Sequence, residues 1–144
     1  MNHIEQLYLQ IIHNTCTQTS SNITISQDVS ISLINLAQTQ SSLPFLLPYI
    51  KDSSLLANIK YQTKLMMLNY YQIEQFTRRI ADLFDANNIS YILLKGISLA
   101  AFYPVPEYRQ LGDVDIYIND KEMFNRANAL LLANGYTMDD EISD

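Results

Sequence analysis

Residues 93 to 118 read LLKGISLAAFYPVPEYRQLGDVDIYI, and this stretch decides the fold class. The apolar run that ends just before Gly96 predicts a short buried central strand, and the residues after it predict a short helix that two prolines end. Asp113 and Asp115 precede a second apolar run, which predicts a second strand. The stretch therefore predicts a strand, helix, strand unit with acidic side chains at the start of its second strand.

The spacing of the two aspartates indicates that their carboxylates lie close together. Side chains two apart on a strand lie on the same face, so Asp113 and Asp115 are expected to point the same way. Two neighbouring carboxylates repel unless a cation, a proton or hydrogen bonds offset them. Mg²⁺ binds one or two protein carboxylates together with waters and substrate phosphates, which makes the pair a candidate metal site. The alternative is a capping or loop acid beside a second acid placed by chance.

Gly96 is predicted where the first strand passes into the helix. A residue without Cβ lets the backbone approach a ligand closely, and a helix start offers N–H groups and a positive dipole end. This arrangement suits a phosphate group. A plain turn glycine is the alternative interpretation.

Helical periodicity dominates the chain before this unit. Apolar side chains predict helices over residues 3 to 14 and from Ser26 or Asp28 to about residue 40, and a short one in LPFLLPYI. Residues 53 to 87 contain no glycine or proline and predict one long helix, or two with a kink.

The C-terminal part closes with one more predicted helix, over residues 121 to 134, with Asn119 or Asp120 as its N-cap. The sequence therefore predicts an α+β fold, with a helical lobe over residues 1 to 88 and a partial α/β core with a small mixed sheet over residues 89 to 144.

Composition and charge exclude some classes of binding partner. Hydrophobic residues make up 48% of the chain and charged residues 17%, which is a globular composition. A net charge of −6 gives no field that would attract a long nucleic acid, although a mononucleotide held through a metal remains possible. The sequence contains no apolar run of membrane-spanning length and no secretory signal pattern, so we expect a cytoplasmic protein without a membrane partner. Its single cysteine, Cys16, excludes an internal disulfide.

The order of these elements resembles a known superfamily. A strand-to-helix turn with a glycine, followed by an Asp-x-Asp strand, is similar to the nucleotidyltransferase fold of the DNA polymerase beta superfamily. LLKGISLAAFYP, Arg109, GDVDIYI and a helix ending in LLLANGY more closely resemble a bacterial nucleotidyltransferase-like family in which Lys-Gly replaces the usual Gly-Ser of the turn. The resemblance covers about residues 89 to 136.

The resemblance implies roles for the residues that match the motifs. Asp113 and Asp115 would be the catalytic carboxylates that bind Mg²⁺ or Mn²⁺, with a two-metal site possible. Gly96 would be the residue at which phosphates approach. Lys95 stands at the family's lysine and would either hold a phosphate or pair with an acid.

Two further residues match less specifically. Arg109 would grip the triphosphate or clamp a carboxylate of the site, and a structural ion pair is an equal alternative. Ser98 would replace the missing serine hydroxyl of the turn, or simply cap the helix.

The function that the resemblance implies is metal-dependent transfer of a nucleotidyl group from a nucleoside triphosphate (NTP) to a hydroxyl of a small molecule or protein. The superfamily also uses a third carboxylate on a later strand, and family members continue beyond the position of Tyr136. Asp139, Asp140 and Glu141 follow, but such a cluster near a terminus is typical of a solvated tail. The alternatives are a fragment completed by further sequence or another polypeptide, and an inactive domain that serves as a binding module.

Overall fold

The computed structural model describes residues 2–19 and 23–138. Within them the chain forms five α-helices and two short strands, joined partly by 3-10 turns at Leu43–Leu46 and Pro106–Tyr108. In chain order the elements are α1 (His3–Thr17), α2 (Gln27–Thr39), α3 (Ser53–Ala86), β1 (Ile92–Leu93), α4 (Ile97–Ala100), β2 (Ile116–Tyr117) and α5 (Lys121–Ala133). The predicted α+β class with a helical lobe is confirmed.

Short polar side chains start three of the helices. Asn2 accepts a hydrogen bond from the backbone N–H of Glu5, whose carboxylate accepts one from the N–H of Asn2, which forms a capping box at α1. Asp52 accepts from two backbone N–H groups at the start of α3. Asp120 accepts from the N–H of Met123 at 2.7 Å and is therefore the cap of α5.

Helix α3 is the long helix against which both 3-10 turns pack. It runs for 34 residues as one helix, which settles the choice between one helix and two. Its first half packs on the 3-10 turn at Leu43–Leu46, and a later part contacts the second turn at Pro106–Tyr108. A single helix thus connects the N-terminal helices with the segment that carries the candidate site.

Two separate hydrophobic clusters lie along α3. The N-terminal cluster joins α1, α2, the first 3-10 turn and the beginning of α3, and its buried residues are Ile11, Leu33, Ile34, Ala37, Leu43, Leu46, Ile50 and Ile59. The C-terminal cluster joins the end of α3 to α5, and its buried residues are Ile80, Phe84, Ile89 and Ala127. Helix α3 contributes to both, and the division into lobes at residue 88 stays a prediction.

The sheet is smaller and more exposed than the sequence indicates. Strands β1 and β2 pair antiparallel, with Ile92 opposite Tyr117 and Leu93 opposite Ile116. The expectation of a buried central strand is wrong for β1, because Ile92 is 59% exposed. In the described residues one face of the pair packs on the C-terminal cluster, through Ile116, and the other is open.

The segment between the strands also differs from its prediction. The helix expected over residues 97 to 103 ends at Ala100 and continues as turns, because the two prolines that follow restrict the preceding backbone. Asp113 and Asp115 lie before β2 rather than inside it. Their common orientation therefore does not follow from strand alternation.

One negative finding concerns membranes. Across residues 2–19 and 23–138, no helix combines the length and the apolar character needed to cross a bilayer.

Candidate functional site

The turn between β1 and α4 has a backbone conformation that favours glycine. Gly96 has φ 52° and ψ −116°, and it directly precedes Ile97, the first residue of α4. A Cβ added to Gly96 would lie 3.4 Å from the carbonyl oxygen of Asp113, so the turn lies directly against the aspartate segment. The predicted strand-to-helix glycine is therefore present, and the fold brings it beside the acidic motif.

Backbone pairing holds Asp115 next to this turn. The N–H of Leu94 donates to the carbonyl oxygen of Asp115 at 2.9 Å, which continues the pairing of β1 with β2 by one more hydrogen bond. The side chains meet as well, because the Lys95 Nζ lies 3.0 Å from Asp115 Oδ2. Of the two alternatives for Lys95, the pairing with an acid is what the structure contains.

The local charges act on Lys95. The hydrogen bond with Asp115, the negative charge of Asp115 and that of Asp113 together raise the pKa of Lys95 above its ordinary value. Its ammonium group therefore stays charged at neutral pH and acts as an internal counter-cation to the aspartates. The Lys95 side chain is 66% exposed, so solvent reaches this ion pair.

The Arg109 side chain also contacts the turn, through hydrogen bonds to backbone and side-chain oxygens. Its Nε donates to the carbonyl oxygen of Gly96 at 3.0 Å, and one terminal nitrogen donates to the hydroxyl of Tyr103 at 3.2 Å. The guanidinium carbon also lies 5.4 Å from the centre of the Tyr103 ring, within range of a cation–π interaction. Within the described residues Arg109 forms no ion pair, so its structural role is to hold backbone rather than a carboxylate.

Ser98 and α4 contribute less than the sequence suggests. The Ser98 hydroxyl donates to the carbonyl oxygen of Leu93 at 3.3 Å, and its N–H donates to the carbonyl oxygen of Lys95 at 3.0 Å. Helix α4 has only four residues, so its dipole is small. The helix start therefore adds little to a phosphate site, and the positive charge at the turn comes from the side chains of Lys95 and Arg109.

Long-range contacts that the sequence does not signal support the aspartate segment. Asn69 on α3 donates from Nδ2 to the carbonyl oxygen of Leu111 at 2.6 Å, only two residues before Asp113. The hydroxyl of Tyr71 donates to Glu107 at 2.8 Å. Neither contact can be predicted from a local sequence pattern, because the partners are 42 and 36 residues apart in the chain.

Asp113 and Asp115 are the residues of this site that could hold a divalent cation. Asp113 is exposed, Asp115 is half-buried, and a lysine ammonium already occupies a cation position on Asp115. In the part of the chain that is described, no three His, Cys, Asp or Glu side chains form a metal-binding group. Two carboxylates suffice for Mg²⁺ when water and phosphate supply the other ligands. Asp139, Asp140 and Glu141 lie outside the described residues.

Comparison with known proteins gives one positive result. A search of curated proteins found no match, and a search of solved structures found none. Residues 32–144 match a protein family described as uncharacterised nucleotidyltransferase. The match spans most of the chain and contains the Lys95–Gly96 turn and both aspartates, so the chain belongs to this uncharacterised nucleotidyltransferase family.

Proposed function

We propose that this protein transfers a nucleotidyl group from an NTP to a hydroxyl group, with Mg²⁺ or Mn²⁺ bound at Asp113 and Asp115. The observation that carries the proposal is the meeting of Lys95, Gly96 and Asp115 around one turn, in a chain of a nucleotidyltransferase family. Nucleotidyl transfer needs carboxylates, a positive charge and an approachable backbone at the place where triphosphate binds.

The reaction forms one bond and breaks one. The acceptor oxygen attacks the α-phosphorus of the NTP, the bond from that phosphorus to the β-bridging oxygen breaks, pyrophosphate leaves, and the hydroxyl proton goes to solvent. A divalent cation at the site supplies positive charge that stabilises the phosphate oxygens as the leaving group departs. Asp113 and Asp115 are the residues that would hold that cation.

The other residues have roles that follow from their contacts. Lys95 pairs with Asp115 at 3.0 Å, and a cation held by the aspartates would replace it there, which would leave its ammonium group to bind a phosphate oxygen. Gly96 leaves the turn without a side chain, and Arg109 holds the Gly96 carbonyl so that the turn keeps its shape. Arg109 is therefore a positioning residue in this proposal.

A second candidate is a nucleotide-binding domain that carries out no transfer. The observation in its favour is that the described residues supply two carboxylates and no third one at the site. Both candidates predict nucleotide binding, but only the first predicts release of pyrophosphate.

Calorimetric titration with each of four NTPs in the presence of Mg²⁺ tests the common prediction. Asp113→Ala and Asp115→Ala are each expected to weaken binding by at least about 100-fold, since loss of a supporting residue alone typically costs 10- to 100-fold in metal affinity. Asp82→Ala, at an exposed position on α3, is the matched control. Undiminished binding in both site variants would refute the proposed site.

Label transfer separates the two candidates. With an NTP labelled at the α-phosphate, transfer predicts label on an acceptor together with free pyrophosphate. Nucleotide binding that is lost in the aspartate variants, without pyrophosphate release for any acceptor offered, would favour the binding domain.

A further inference from the structure

A cleft lies beside α3, next to the loop that leads to the aspartates. Its volume is about 310 Å³, at the lower end of the range for small-molecule sites. The end of α2, the middle of α3 and the residue before Leu111 form its walls. The cleft is separate from the Lys95–Gly96 turn, and none of the residues assigned above to metal or phosphate lines it.

Side-chain carboxamides dominate the polar part of the lining. Four of them face the cleft, from Gln38, Gln62, Asn69 and Gln110. Each carboxamide has two N–H donors and one oxygen acceptor. It can therefore donate hydrogen bonds to a ligand's hydroxyl or amide groups and also accept hydrogen bonds from them. Among the described residues, no ionised side chain lines the cleft. A charged ligand would therefore find no opposite charge in it.

The carboxamides are available for a ligand. In residues 2–19 and 23–138, the side chains of Gln38, Gln62 and Gln110 form no hydrogen bond with the protein. Asn69 uses Nδ2 to hold the carbonyl of Leu111 and keeps its oxygen as an acceptor. Several donors and acceptors thus converge on one cleft without protein partners.

The apolar part of the lining indicates which class of uncharged ligand the cleft fits. Leu43, Leu65 and Met66 lie beside the carboxamides, and no aromatic ring from residues 2–19 or 23–138 lines the cleft. Nucleobases are typically bound by stacking on aromatic side chains or arginine, neither of which is present there. A sugar ring has hydroxyl groups at its edge and C–H groups on its faces, which matches this mixture of carboxamide and aliphatic surface.

The cleft is coupled to the candidate metal site through the backbone. Asn69 lines the cleft and also holds the carbonyl of Leu111 at 2.6 Å. Gln110 lines it as well and is the residue before Leu111, while Asp113 follows two residues later. A ligand in the cleft would thus lie along the same short segment that carries the first aspartate.

We propose that this cleft binds the acceptor of the transfer reaction and that the acceptor is an uncharged saccharide. The role as acceptor rests on the function proposed above, whereas the binding of an uncharged saccharide can be tested without it. The carboxamides hold the hydroxyl groups of the sugar, and Leu65 and Met66 contact its C–H face. Cationic and acidic acceptors are disfavoured, because the lining offers no counter-charge to replace their lost hydration.

Side-chain amide signals in ¹⁵N-correlated NMR spectra of the full chain test this proposal directly. The probes are methyl glucoside, methyl galactoside and N-acetylglucosamine, with glucosamine and glucuronate as charged counterparts and adenosine and uridine as nucleosides. We expect saturable shifts of the Gln62, Asn69 and Gln110 amide signals with at least one neutral sugar and none with the charged counterparts. Equal response to the charged sugars, response to nucleosides alone, or no response to any probe would overturn the proposal.

Substitutions check that the shifts come from binding in the cleft. Gln62→Leu combined with Gln110→Leu removes two hydrogen-bonding groups at similar side-chain size, and we expect at least about a tenfold loss of sugar affinity. Gln75→Leu, at an exposed position on the same helix and outside the cleft, is expected to leave the affinity unchanged. Equal affinity in the double variant and the Gln75 control would contradict the assignment.

A further variant separates this proposal from the proposed function. Asp115→Asn is expected to abolish nucleotide binding with Mg²⁺ while the sugar shifts persist, because Asp115 does not line the cleft. Sugar shifts without nucleotide binding in the unmodified protein would refute the transfer function alone. Nucleotide binding without sugar shifts would refute only the saccharide site.

Discussion

The two hydrophobic clusters at opposite ends of α3 are built differently. The N-terminal cluster buries eight apolar residues from several elements, with a further rim of partly buried side chains. The C-terminal cluster buries four, and the elements around it leave large apolar side chains such as Ile92, Tyr117 and Phe124 exposed. The candidate site lies in this more thinly packed region.

The difference shows what holds each region in place. Burial of apolar surface stabilises the N-terminal helices, because that contribution grows with the apolar area removed from water. The turn and the aspartate segment depend instead on individual polar contacts, from Arg109 to Gly96, from Asn69 to Leu111 and from Leu94 to Asp115. Substitutions in the first region should therefore affect stability, and substitutions in the second should affect stability less and binding more.

The largest effect is expected for Leu33→Ala in the N-terminal cluster. Leu33 is fully buried, so the substitution should lower the free energy of unfolding by about 2–5 kcal/mol. Ile31→Ala on the same helix, at a position that is 50% exposed, is the control and should cost far less. Urea denaturation followed by circular dichroism measures both. Equal losses for the two variants would mean that this cluster is not the main core.

Gly96→Ala should have the next largest effect. An alanine at φ 52° and ψ −116° is strained, at a cost of order 1–3 kcal/mol, and the strain should also weaken nucleotide binding at the turn. Gly112→Ala is the matched control, because a Cβ there meets no atom within 4 Å. Denaturation and calorimetric titration of both variants test this. If the two glycines respond alike, the turn does not require its observed backbone conformation.

Asn69→Ala should have a smaller effect on stability. The change leaves the carbonyl of Leu111 without its donor, and loss of one such hydrogen bond costs about 0.5–1.5 kcal/mol. Asn58→Ala, at an exposed position on the same helix, should be neutral. Hydrogen exchange of the amides around Asp113 should accelerate only in the Asn69 variant. Unchanged exchange would show that α3 does not order this segment.

The smallest effect on stability is expected for Lys95→Met, because the lysine side chain is largely exposed. The pKa of Lys95 is raised by Asp115, so the ion pair stabilises the fold below the ordinary lysine pKa and is lost as pH rises through the raised value. The difference in stability between the two proteins should therefore be constant around neutral pH and shrink in strongly alkaline solution. A difference that shrinks between pH 5 and 8 would contradict the assignment.

The same substitution should change the affinity for Mg²⁺ in the absence of nucleotide. Removing the internal counter-cation leaves the aspartates without compensation, so Lys95→Met should bind Mg²⁺ more tightly than the unmodified protein does. Lys64→Met, at an exposed position on α3, is the control. Weaker binding in the Lys95 variant alone would mean that the lysine supports the metal rather than replacing it.

Local sequence patterns predict the helices well, because caps and apolar periodicity act within one or two turns. Asp120, one of the two caps that the sequence offers, caps α5, and Gly96 adopts the left-handed backbone that its place in the turn requires. The strands are predicted too long, since apolar runs do not reveal how many residues find a pairing partner. The sequence indicates Arg109 but not its partner, because the carbonyl of Gly96 is 13 residues away.

The most direct test of the central claim is paramagnetic broadening by Mn²⁺ in the presence of a non-hydrolysable NTP analogue. Binding at Asp113 and Asp115 predicts that amide signals of residues 94 to 98 and 111 to 116 disappear first in ¹⁵N-correlated NMR spectra, while those of α1 stay sharp. The same titration of Asp113→Ala, Asp115→Ala double-variant protein should leave the signals around the turn intact. Broadening that is centred elsewhere, or that persists at the turn in the double variant, would contradict the account.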